Sequence, residues 1–137
     1  MRIMAIDYGQ RKVGIAMSDE LGVISQPLMT LRAKSQKEFI KRLKFIVKEN
    51  NVGLILVGNP LSHSGKSTPI SEEVLRFVEV LEKSIAVEVK LWDERFTSRY
   101  ALRILKEKGI KQKGNIDQIA ASLMLEEYLK TQAGNSV

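Results

Sequence analysis

Leu54-Ile55-Leu56-Val57 is an uninterrupted aliphatic run between two stretches of helical periodicity. Such a run, followed by the turn-forming Gly58-Asn59-Pro60, reads as a strand buried on both faces, which is the mark of parallel pairing. A parallel strand needs a crossover connection, and the flanking helices can supply it. Before the run, Ser35 with Glu38 three residues later forms a capping box. Phe39, Ile40, Leu43, Ile46 and Val47 then recur on one helical stripe, leaving Lys37, Lys41, Lys44 and Lys48 to solvent. After the run, Thr68 and Pro69 read as N-cap and first helical residue. Ile70, Val74, Phe77, Val78 and Leu81 are the expected buried face of that second helix. A further strand is expected over 87–92, ending in Asp93-Glu94-Arg95. The chain is therefore of the α/β type.

The N-terminal segment adds antiparallel strands. Residues 3–6 are an apolar run that delivers Asp7 beside Tyr8-Gly9-Gln10-Arg11, a turn, and residues 13–17 return as a second strand. Val13, Ile15 and Met17 share one face of it; Gly14, Ala16 and Ser18 share the other, which leaves room for an element to lie over the small residues. Ser25-Gln26-Pro27 reads as a break and residues 28–32 as a third strand. The expected architecture is a five-stranded mixed sheet, an antiparallel meander of strands one to three followed by two parallel strands, with helices packed on it. After the last strand, Phe96-Thr97-Ser98 leads into a helix containing Ala101, Leu102 and Leu105 and closed by Gly109. Residues 110–114 read as a basic connection. Asn115 is the expected cap of a final helix with Asp117 in its first turn, where the dipole favours a carboxylate. Ile116, Ile119, Ala120, Leu123, Met124 and Tyr128 are its candidates for burial, Ala120 and Ala121 allow a close approach to the sheet, and the tail after Thr131 is expected to fray. No repeat or linker divides the 137 residues, and one domain is expected.

Composition narrows the chemistry. There is no cysteine, which excludes disulfides, thiolate metal sites and thiol nucleophiles, and the one histidine, His63, cannot build a multi-histidine site. A metal would have to be held by carboxylates, which suits Mg²⁺ or Mn²⁺. No apolar stretch approaches the roughly 18 residues of a membrane span. The N-terminus carries no signal-peptide pattern, so a cytoplasmic location is expected. The formal charge is +6, and the segment 95–113 alone reaches that value: Arg95, Arg99, Arg103, Lys106, Lys108, Lys111 and Lys113 face a single acid, Glu107. Such concentration is the electrostatic footprint of a nucleic-acid binder. Lys12, beside the first turn, and Lys66, in the polar loop before the second helix, are expected to join it.

Acidic residues stand at positions where α/β sheets gather their sites, beyond the carboxyl ends of strands. Asp7 follows the first strand, Asp93 and Glu94 the last, and Asp117 opens the final helix. Each alone has an ordinary structural role as a turn cap, a local ion pair or a helix-start charge. Together with the basic segment they point to a carboxylate site for Mg²⁺ or Mn²⁺, whose natural substrate is a phosphodiester. Alternation allows only one of Asp93 and Glu94 to point with Asp7, and the residue pattern leaves both open.

The set Ile6-Asp7-Tyr8-Gly9, Val13-Gly14-Ile15-Ala16, Ser18-Asp19, Val57-Gly58-Asn59-Pro60-Leu61, Asp93-Glu94-Arg95-Phe96-Thr97-Ser98 and Ile116-Asp117-Gln118-Ile119-Ala120-Ala121 resembles the YqgF/RuvX family from residue 1 to about 130. The resemblance implies a ribonuclease H-like fold related to the RuvC Holliday-junction resolvase. It implies a nuclease acting on the 5′ end of pre-16S ribosomal RNA, or a resolvase of four-way DNA junctions. It makes Asp7, Glu94 and Asp117 the catalytic and metal-holding acids, with Asp93 beside them. One departure is plain: the strand ending at Gly58 offers no acid where ribonuclease H enzymes place one, and Glu94 would substitute from the neighbouring strand.

Other readings compete. Gly65-Lys66-Ser67-Thr68 resembles a phosphate-binding P-loop, but the position that pattern requires to be glycine is Pro60, and Pro69 removes an amide just after it. The actin and sugar-kinase fold also places Asp-x-Gly after a strand, in much longer two-domain chains. A non-catalytic nucleic-acid-binding or ribosome-assembly factor would keep the fold without the chemistry. The expected partners are pre-16S rRNA or branched DNA, within the small-subunit precursor for the former, with the protein a monomer or homodimer and no membrane contact.

Overall fold

The computed structural model describes residues 1–9, 11–60, 64–93 and 113–134. Its elements are β1 (Arg2–Tyr8), β2 (Lys12–Ser18), β3 (Ser25–Arg32), α1 (Gln36–Glu49), β4 (Val52–Asn59), α2 (Pro69–Ser84), β5 (Glu88–Asp93) and α3 (Lys113–Gly134). The sheet order is β3-β2-β1-β4-β5. β1, β2 and β3 pair antiparallel, while β4 runs parallel to both β1 and β5. This is the ribonuclease H-like mixed sheet that the motifs imply.

Two cores lie on the two faces of the sheet. On one, Met4, Ile6, Ile15, Ile55 and Val57 pack under α1 and α2 through Phe39, Leu43, Phe77 and Leu81. On the other, Ala5, Ala16, Leu54 and Leu56 pack under α3 through Ala121, Met124, Leu125 and Tyr128. All four residues of the aliphatic run are buried, as a doubly covered strand requires. Ser35 and Thr68 both cap their helices: Ser35 Oγ accepts from the Glu38 amide at 3.2 Å and Thr68 Oγ1 from the Ser71 amide at 3.1 Å. The Glu38 carboxylate accepts from the Lys34 amide at 3.1 Å rather than from Ser35, so the expected box at Ser35 is only half formed. No helix among the described residues is long and apolar enough to cross a membrane.

Several local expectations are corrected. The break at Ser25-Gln26-Pro27 is instead the start of β3, which tolerates Pro27 because it is an edge strand with a register shift opposite Ile15 and Ala16. Ile70 is 57% exposed and Ser71 is buried in its place, because the reciprocal capping box turns Ser71 Oγ back onto the Thr68 amide at 2.7 Å. β5, shifted one residue to Glu88–Asp93, is the other edge, and Glu88, Lys90 and Leu91 are exposed. α3 starts at Lys113, so residues 113–114 are helix rather than connection and Asp117 lies a full turn inside. Its buried stripe is Ala121, Met124, Leu125, Tyr128 and Leu129; Ile119, Ala120 and Leu123 are half-buried, because its apolar residues wrap more than one side and periodicity does not single out a face. The helix also continues past Thr131 to Gly134. The helix expected to contain Ala101, Leu102 and Leu105 lies outside the described residues.

Candidate active site

Asp7 is the penultimate residue of β1 and half-buried. It alternates with Ala5 and so faces α3. Its direct partner in β2 is Gly14. A Cβ built on Gly14 would collide with the main-chain carbonyl of Asp117 and lie 2.8 Å from the Asp117 Cβ. Opposed residues of an antiparallel pair have Cβ atoms about 4.5–5.5 Å apart, so the Cβ atoms of Asp7 and Asp117 are within about 8 Å. The small-residue face of β2 thus has the role its pattern predicts: α3 lies over it. Polar contacts to β3 set the helix register. Ser25 Oγ donates to the Ser122 carbonyl at 2.9 Å, and Thr30 Oγ1 donates to Gln118 Oε1 at 3.5 Å. The turn before β2 is equally close, since a Cβ on Gly9 would come 2.7 Å from the Lys12 carbonyl oxygen.

Lys12 shares the face of Gly14, and its Nζ stands 3.1 Å from Asp117 Oδ2. That buried oxygen receives no directed hydrogen bond among the described residues, so the contact is ionic in character rather than a well-aligned hydrogen bond. The pair is partly open, with side chains 36% and 23% exposed. The sequence assigns Lys12 to nucleic acid; the structure sets it against a carboxylate. No local spacing could show this contact, which joins β2 to a helix near the other end of the chain.

Asp93 pairs with Asn59 at the end of β5. Val89 packs with the α1–α2 face and Trp92 with the α3 face, so alternation puts Asp93 on the side opposite Asp7. Glu94, Arg95, Arg99, Arg103, Lys106, Lys108 and Lys111 lie outside the described residues. Lys113 is the first residue of α3, and Lys66 is exposed ahead of α2. Tyr8 points away from Asp7 and packs on Phe77, ring centroids 4.5 Å apart, with its hydroxyl 3.4 Å from Glu73 Oε1. Burial, and then the Glu73 charge, push its phenol above the ordinary range. Tyr8 therefore packs at the edge of the α1–α2 core, away from Asp7.

On the α3 face, Trp92 meets Tyr128 edge-on at 5.5 Å, and its indole Nε1 is buried with no partner among the described residues. No group of three potential ligands occurs among the described residues. The pair Asp7 and Asp117 supplies oxygen donors alone, and an ammonium already stands against one of them. Donors of oxygen alone fit a hard cation such as Mg²⁺ or Mn²⁺.

A family model described as RuvX, Holliday junction resolvase, matches residues 1–131. A protein of Thermoanaerobacter pseudethanolicus named "Putative pre-16S rRNA nuclease" is 42% identical over 136 residues, covering 96% of this chain and 98% of that protein. A protein of the same name from Koribacter versatilis is 39% identical over 132 residues, covering 94% and 86%. Among solved structures, Thermus thermophilus RuvC in complex with a Holliday junction substrate superposes with a TM-score of 0.59 at 13% identity, covering 96% of each chain. The fowlpox virus Holliday junction resolvase gives 0.56 at 12% identity, covering 96% of this chain and 99% of that one. These two likenesses establish the fold.

Proposed function

Since the chain belongs to the RuvX family, we propose that it is a divalent-metal-dependent nuclease that trims the 5′ end of pre-16S rRNA in the cytoplasm. The observation that carries this reading is the collision of the Asp117 backbone with any side chain on Gly14, the strand partner of Asp7. It brings two acids from distant parts of the chain onto one face.

Asp7, Glu94 and Asp117 are the proposed holders of Mg²⁺ or Mn²⁺, which when bound would activate water and neutralise charge on the reacting phosphate. Asp7 is held by a central strand and Asp117 by a helix packed over that strand's neighbour, which carries both carboxylates on one face with Cβ atoms within about 8 Å. Asp93 ends β5 on the other face of the sheet. The segment 95–113, with Lys66, tracks the phosphate backbone and positions the substrate without reading its sequence. The names of relatives near 40% identity support RNA as the substrate. The family description supports a second reading, cleavage of a four-way DNA junction, which would call for a symmetric dimer.

Incubation of the protein with 5′-extended pre-16S RNA and with a synthetic four-way junction, in Mg²⁺, Mn²⁺ or EDTA, tests the proposal. RNA cleavage with either metal and none in EDTA is expected. Cleavage of the junction alone would favour the resolvase reading. Binding of RNA without cleavage of either substrate would make the protein a non-catalytic assembly factor.

A further inference from the structure

We propose that Lys12 is a built-in counter-cation for the acidic site: its ammonium holds the Asp117 carboxylate while no metal is bound, and a divalent ion displaces it. The inference rests on the metal-centre reading above and assigns a role to a residue that reading leaves aside.

Lys12 and Gly14 stand on the same face of β2, and Gly14 is the strand partner of Asp7. The ammonium at 3.1 Å from Asp117 Oδ2 therefore stands on the face of the sheet that carries both acids. A single pair this open to solvent on the lysine side adds only modestly to stability. α3 does not depend on it, being fixed by Ala121, Met124 and Leu125 in the core and by the Ser25–Ser122 and Thr30–Gln118 contacts. What the pair does alter is local charge. Carboxylates held this close repel one another, and one fixed positive charge offsets that repulsion. The same charge opposes the arrival of a divalent cation. Lysine suits such an exchange, because its compact charge on a flexible stem can leave one oxygen and reach another nearby. The displaced ammonium is then free to meet a phosphate arriving at the same face, which reconciles its place on Asp117 with a role in substrate binding.

Mn²⁺ binding, followed by the paramagnetic resonance of the free ion, provides the test with no substrate present. Lys12→Met is expected to bind Mn²⁺ about fivefold more tightly than the parent, the affinity equivalent of one exposed ion pair. Lys12→Arg, which keeps the charge, should stay within about twofold of the parent. A second measurement uses the parent protein alone: acetylation of Lys12, read by mass spectrometry, should be faster in Mg²⁺ than in EDTA. Saturable binding by the parent with an unchanged or weaker affinity in Lys12→Met, or a Lys12 acetylation rate indifferent to Mg²⁺, overturns the inference and leaves the metal centre standing. Absence of saturable Mn²⁺ binding by the parent overturns both.

Discussion

The main chain of Asp117 occupies the space that a side chain on Gly14 would need. Gly14 is paired with Asp7, so this one close approach sets the distance between the two acids. The glycine is required by the helix above it rather than by its own backbone angles. The first prediction follows: Gly14→Ala pushes α3 away from β2. Overpacking against rigid backbone costs about 1–3 kcal/mol, and the Ala121 and Met124 contacts loosen with it. Denaturant unfolding should show that loss, with cleavage falling as well. A Gly14→Ala protein as stable as the parent contradicts the close approach.

The acids should weaken the metal-free fold. Asp7→Asn removes one of two neighbouring negative charges, so in EDTA it should melt no lower than the parent. Asp117→Asn leaves Lys12 without its ionic partner and should change stability by about 1 kcal/mol at most, the scale of a single partly open pair. Thermal melts in EDTA decide this. A large drop for Asp7→Asn would make that carboxylate structural.

Asp19 supplies a pH signature away from the site. Its Oδ1 accepts from the Val23 amide at 2.7 Å and the Ile24 amide at 2.9 Å. These bonds, Ile24 foremost, hold the carboxyl below its ordinary 3.8. A depressed folded value means that the contribution is complete above the unfolded value and is lost as pH falls through the folded one. Asp19→Ala should therefore melt below the parent at neutral pH, with the gap closing in acid below 3.8. A gap of constant size across that range would show that the charge is not what closes the 19–24 turn.

The basic segment predicts a salt effect. If residues 95–113 follow a phosphate backbone, Arg99→Ala and Lys106→Ala should each weaken binding to about the same extent on all sequences. Each should lower the slope of log affinity against log salt by roughly one. Unchanged slopes in both variants would move the footprint elsewhere.

Much of this architecture is legible in the sequence because strand periodicity and strong caps are local. The aliphatic run at 54–57, the small-residue face of β2 and the Thr68-Pro69 helix start all act as their patterns predict. The side of the sheet that Asp93 takes becomes plain once Val89 and Trp92 are seen in separate cores. What escapes sequence reading is tertiary. Pro27 stays within a strand because that strand is an edge, and Ile70 is displaced by the hydroxyl of its neighbour. Asp117 owes its place to packing over Gly14 rather than to a helix terminus. Lys12 finds its partner only when β2 and α3 are brought together.

Single-turnover cleavage of 5′-extended pre-16S RNA by the parent and by Asp7→Asn, in Mn²⁺ and in EDTA, tests the metal-dependent nuclease most directly. The parent should cleave in Mn²⁺ alone, and Asp7→Asn should be slower by at least about 10²-fold, the scale of a lost catalytic group. Cleavage by the parent that persists in EDTA, or an Asp7→Asn rate equal to the parent's, would contradict it.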